Sequence, residues 1–95
     1  MKSDIDLIIE QVKRMNTNVV VSQLSKTHSA DDDGVWWFRV HGHEQDVQIE
    51  SSSGQCPFII ESTIPGTPSR IDRVETVKEV VASVLTCLAK LEELD

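Results

Sequence analysis

Two imidazoles at alternate positions, with a carboxylate beside them, stand in the run His41-Gly42-His43-Glu44. Alternate residues of an extended chain share one face, so this set has the donor types for a metal ion. A structural zinc site takes four ligands, however, and no fourth lies near in the chain. A solvated turn is the expected state. Asp31-Asp32-Asp33-Gly34 has the acidity of a calcium loop. It lacks the spaced oxygens and the bidentate glutamate of an EF-hand, so it is expected to be a charged turn. Cys56 with His28, His41 or His43 offers the residue types of a nucleophile and its base. Nothing near Cys56 in sequence would stabilise a thiolate, and the apolar run it enters predicts burial. Ser51-Ser52-Ser53-Gly54 has neither the lysine nor the strand–turn–helix setting of a phosphate loop. Cys56 and Cys87 form no C-x-x-C pair, and both are expected to be reduced, buried thiols. The residues therefore point to no catalytic site, no metal and no cofactor, and to a chain that is not an enzyme.

The chain has 95 residues and a formal net charge of -7. That length suits one domain over 1–95. The charge repels nucleic-acid phosphates and favours a basic protein partner. The longest apolar runs have three or four residues, such as Val19-Val20-Val21 and Val35-Trp36-Trp37-Phe38, and are far short of a signal peptide or a membrane span. The expectation is a cytoplasmic protein that binds neither membrane nor nucleic acid.

Any binding surface must be positioned by the surrounding elements. Ile5, Ile8, Ile9, Val12 and Met15 follow helical spacing, which predicts a helix over 4–15 capped by Ser3. β-Branched and aromatic residues predict strands over 19–26, 35–40, 47–51 and 56–62, with polar turns between them. Pro57 falls near the start of the fourth strand, where a missing N–H is tolerated. Residues 28–34 read as a mobile loop, and residues 64–69, with two prolines and a glycine, as another. A C-terminal helix is expected from near Asp72. Asp72 with Glu75, or Ser69 with Asp72, would cap it. Its apolar stripe would carry Val74, Val77, Val81, Val84, Leu88 and Leu91, widened by Val80, Leu85 and Cys87. The fold class is α+β, in the order α-β-β-β-β-α: an antiparallel meander with both helices on one face.

Within that meander, 31–61, stand seven acidic residues (Asp31, Asp32, Asp33, Glu44, Asp46, Glu50 and Glu61) against a single arginine, Arg39. If Trp36 and Phe38 face the helices, alternation turns Val35, Trp37 and Ile59 the other way. Trp37 rimmed by these acids makes the candidate partner-binding set: Asp31, Asp32, Asp33, Trp37, Glu44, Asp46, Glu50 and Glu61.

The stretches Gly34-Val35-Trp36-Trp37-Phe38 and VQIESSSGQCPFIIE at 47–61 resemble small uncharacterised bacterial proteins similar in style to immunity proteins of toxin systems. The resemblance covers the central meander and implies toxin neutralisation, without implying an active site. The preferred expectation is thus a non-enzymatic acidic protein-binding module that neutralises a basic toxin. A secretion-chaperone-like or self-associating dimer, holding an extended segment along a sheet edge, is the first alternative. A small enzyme or ligand-binding domain is the second, and it requires a pocket with convergent polar groups.

Overall fold

A computed structural model describes residues 3–23, 34–51, 53–62 and 70–93. It contains α1 (Asp4–Met15), β1 (Val19–Gln23), β2 (Val35–Val40), β3 (Val47–Glu50), β4 (Phe58–Ser62), β5 (Arg70–Val74) and α2 (Val77–Glu92). The strands form one antiparallel sheet in the order β1-β2-β3-β4-β5, each paired with its neighbour in sequence. Both helices lie on one face of it. The fold is α+β, as the sequence predicts, with a fifth strand added to the meander.

The first helix forms where the apolar spacing places it. Asp6 Oδ2 accepts from the Ser3 N–H at 3.3 Å and from the Ser3 hydroxyl at 2.9 Å, fixing the first turn. Ile5, Ile8 and Val12 are buried, while Met15 is 71 % exposed. At 3.6 residues per turn Met15 lies roughly 80° around the helix from Ile5, at the margin of the stripe rather than on its centre.

The sheet alternates as period-two patterning requires. Trp36, Phe38, Val40, Val47, Ile49, Phe58, Ile60 and Val74 are buried under the helices. Trp36 meets Phe58 edge-on, with ring centroids 6.4 Å apart. From α2, Val80, Val84 and Leu88 fill the space above β2, β3 and β4. The valines of this helix have poor intrinsic helix propensity, so their burial in one contiguous core supports it.

Three expectations need correction. Residues 70–74 form β5, paired with β4 from Phe58↔Val74 to Ser62↔Arg70, so Val74 belongs to a strand and not to the helix stripe. The last helix starts at Val77 and is capped by Thr76, whose Oγ1 accepts from the Glu79 N–H at 3.2 Å and donates to Glu79 Oε1 at 2.8 Å. Asp72 therefore cannot cap it, and lies within the strand. Third, β4 begins at Phe58, and Cys56 and Pro57 belong to the preceding turn. The possible continuation of β1 beyond Gln23, the loop at 28–34 and the loop at 64–69 lie wholly or largely outside the described residues.

The segment that holds Ser51, Gly54 and Cys56 ties the sheet to α1. The Ser51 hydroxyl donates to the Gln55 carbonyl at 2.7 Å. Ile5 N–H donates to the Gly54 carbonyl at 3.0 Å, and Cys56 N–H donates to Asp4 Oδ2 at 2.8 Å. Two of the orphan donors and acceptors at a helix start and a turn are thereby satisfied together. Gly54 has φ +71°, and a Cβ there would stand 3.2 Å from Ile5 Cγ2, so both the backbone conformation and the close approach call for glycine.

Candidate functional site

Because both helices cover one side, the other side of the sheet is, among the described residues, an open face. Its composition follows from the register. Ser22, Trp37, Gln48, Glu61 and Ile71 form one row across all five strands. Val35, Glu50, Ile59 and Arg73 form a second row. Val20 and Arg39 stand together in a third. Ile71 is 67 % exposed and Ile59 45 %. Large apolar side chains on a strand face that neither helix covers are unusual enough to mark a contact surface.

Trp37 is half-buried on this face. Its indole Nε1 donates to Gln48 Oε1, on the neighbouring strand, at 3.1 Å. The hydrogen bond fixes the ring against β3 and satisfies its one polar atom, leaving a rigid apolar surface. Glu50 is half-buried and Glu61 exposed on the same face. So the structure unites Trp37, Glu50 and Glu61. Glu44 and Asp46 are exposed in the hairpin loop over 41–46, away from those rows in the chain. Asp31, Asp32 and Asp33 lie outside the described residues.

The face carries residues that the sequence reading did not select. Ile71 and Arg73 arrive with β5, and Val20 with β1. With Arg39 and Arg73 set against Glu50 and Glu61, the charges on the face balance. Its own character is amphipathic rather than acidic. Arg73 Nε stands 3.7 Å from Glu75 Oε1, an exposed pair that holds it only weakly. The signal for β5 was the alternation of Ile71 and Arg73 with Asp72 and Val74, masked by the helix-like spacing of Val74 from Val77.

Two concavities adjoin these elements. One, of about 380 Å³, lies at the second row, with Glu50, Pro57, Ile59 and Arg73 among its lining residues. The other, of about 420 Å³, runs between the outer sides of the two helices over Leu7, Met15, Val81 and Leu85. Neither is lined by a histidine or a cysteine.

The remaining chemistry-bearing residues are dispersed. His41 is exposed and His43 half-buried in the hairpin, where His43 N–H closes the turn on the Val40 carbonyl at 3.0 Å. Among the described residues no three of His, Cys, Asp and Glu are grouped to hold a metal ion. Cys56 and Cys87 are free and half-buried, where full burial was expected. Burial pushes the Cys56 thiol above its ordinary value, and the hydrogen bond and negative charge of Asp4, with the charge of Glu79, push it the same way. That environment favours the thiol and opposes the nucleophilic thiolate. Among the described residues no helix is long and apolar enough to cross a membrane.

Comparison with known proteins finds no matching family model, no matching curated protein and no matching solved structure.

Proposed function

We propose that this chain is a non-enzymatic protein-binding module that engages its partner with the open face of the sheet. The observation that supports the reading is the exposure of Ile59 and Ile71 beside a hydrogen-bonded Trp37, on a face that neither helix covers. Trp37 acts as the anchor, since a fixed indole loses little freedom on binding. The aliphatic side chains widen the contact, and Arg39, Glu50, Glu61 and Arg73 give it polar register.

The net charge of -7 acts at longer range. It draws in a basic partner and speeds encounter, an effect that salt screens within about 8 Å at physiological ionic strength. Asp31, Asp32, Asp33, Glu44 and Asp46 contribute to that field. A basic toxin neutralised by occlusion of its surface is the partner type we propose, in the manner of an immunity protein. Cytoplasmic residence belongs to the same reading.

The test is capture from cells of the source organism at low and high salt, using the native chain, Trp37→Ala, Ile71→Asp and, as a control on the opposite side, Met15→Asp. One basic protein should be retained by the native chain and by the control, weakened by salt, and lost with both face variants. Equal retention by all four chains would refute the open face as the contact.

A further inference from the structure

We propose that the concavity at Ile59 on the open face is a binding site for a small zwitterion, a free α-amino acid with an aliphatic side chain. The inference stands apart from protein capture through Trp37 and Ile71, which lie in the neighbouring row and do not line the concavity.

The register sets the geometry. Glu50 pairs with Ile59 and Ile59 with Arg73, so a carboxylate on β3 and a guanidinium on β5 flank the isoleucine on β4. Two strand spacings separate the α-carbons of Glu50 and Arg73 by about 10 Å. All three side chains line one cavity of about 380 Å³, together with Ser53, Gln55 and Pro57. That volume is near the small end for ligand pockets, about 300–1,000 Å³, and suits a molecule of few atoms.

The two charges are not engaged with each other. Glu50 is half-buried, and its carboxylate has no hydrogen bond or ion pair with another described residue. Arg73 Nε faces Glu75 Oε1 at 3.7 Å, which leaves the two terminal nitrogens of the guanidinium to grip a carboxylate as a fork. Ser53 Oγ accepts from the Gln55 N–H at 3.3 Å and lies 3.4 Å from Ser51 Oγ, so this wall of the cavity is itself held in place.

The pairing of signs selects the ligand. A cation drawn to Glu50 meets Arg73, and an anion drawn to Arg73 meets Glu50, so a ligand with one charge loses at one end what it gains at the other. A ligand with both charges gains at both ends. In an α-amino acid the ammonium nitrogen and the carboxyl carbon are about 2.5 Å apart. With a charge-assisted hydrogen bond of about 2.8 Å at each end, it bridges roughly 9 Å from carboxylate to guanidinium. That span is close to the separation of the two strands. Ile59, 45 % exposed, and Pro57, also exposed, offer apolar surface on which an aliphatic side chain leaves water.

Amide chemical shifts of the isotopically labelled full chain, titrated with L-leucine, L-isoleucine and L-valine, read the inference. At least one should give saturable shifts centred on Glu50, Ile59 and Arg73, with a dissociation constant below about 1 mM. Isocaproic acid, which is leucine without the ammonium, and isopentylamine, which is leucine without the carboxylate, should each bind at least about tenfold more weakly than L-leucine. Glu50→Gln and Arg73→Gln should each weaken binding by about tenfold or more, while Met15→Asp, on the helix side, should not change it. Should either pocket variant unfold, the two analogues make the same test on the native chain. Failure of all three amino acids to reach that affinity, saturable shifts centred away from this row, equal binding of either analogue, or undiminished binding in both pocket variants would overturn it.

Discussion

Asp4 and Cys56, 52 positions apart, are joined by a 2.8 Å hydrogen bond from the Cys56 N–H to Asp4 Oδ2. It holds the first turn of α1 against the turn that leads into β4, and the same Asp4 carboxylate adds to the effect of burial in raising the pKa of the Cys56 thiol. Asp4→Ala should cost about 1–2 kcal/mol, from a lost charge-assisted hydrogen bond and a lost favourable charge at a helix start. Thermal unfolding followed at 222 nm measures it. An unchanged midpoint would show that the turn is held by other contacts.

The same substitution changes reactivity. Burial raises the Cys56 pKa, and Asp4 raises it further by hydrogen bond and charge. In a Cys87→Ser background, Asp4→Ala should move the pH profile of iodoacetamide alkylation to lower pH. The stability linkage follows with its sign. A folded pKa above the ordinary thiol value of 9.0 stabilises the fold fully below that pH, and the contribution is lost as pH rises through the folded value. Denaturant midpoints should therefore fall as pH rises above 9.0, and less steeply in Cys56→Ser. Parallel falls in the two chains would contradict this.

Gly54 and Gly42 both have positive φ, but only Gly54 is crowded. Gly54→Ala meets backbone strain and the 3.2 Å approach to Ile5 Cγ2, and should cost about 2–3 kcal/mol. Gly42→Ala meets nothing within 4 Å and should cost about 1 kcal/mol, from strain alone. Urea denaturation of the two variants compares them directly. Equal losses would mean that the contact with Ile5 relaxes without cost.

Thr76 is the structural start of α2. Thr76→Ala removes the acceptor for the Glu79 N–H and should cost about 1 kcal/mol, whereas Thr76→Asp should keep most of that stability. The pair is measured by thermal melts. A loss for both would indicate that the methyl group of Thr76, rather than its hydroxyl oxygen, matters.

Val80 is fully buried, while Val81, 8 % exposed, borders the groove between the helices. An unpaired carboxylate at Val80 has no route to water, so Val80→Asp should abolish the folded state. Val81→Asp can turn toward the groove and its rim residue Lys78, and should leave a folded, weakened domain. Near-ultraviolet circular dichroism distinguishes the two. A folded Val80→Asp chain would place the helix in the wrong rotation.

Local pattern determined most of this architecture. The spacing of Ile5, Ile8 and Val12 specified α1 and its buried stripe, and alternation through Val35–Val40 put Trp36 and Phe38 on one side and Trp37 on the other. Those assignments depend only on the periods of helix and strand, which neighbouring residues carry by themselves. Residues 70–74 were different. Their alternation is brief, Val74 continues the spacing of the following valines, and Asp72 with Glu75 imitates a cap. Only pairing with β4 makes that segment a strand, because a strand draws its hydrogen bonds from another part of the chain. With β5 in place the open face gains Ile71 and Arg73, so its charge balance could not be read along the sequence. The net charge and the presence of Trp37 were properties of the residues themselves. Which side chains stand beside Trp37 was decided by strand order and register, since these bring together residues that the chain keeps apart.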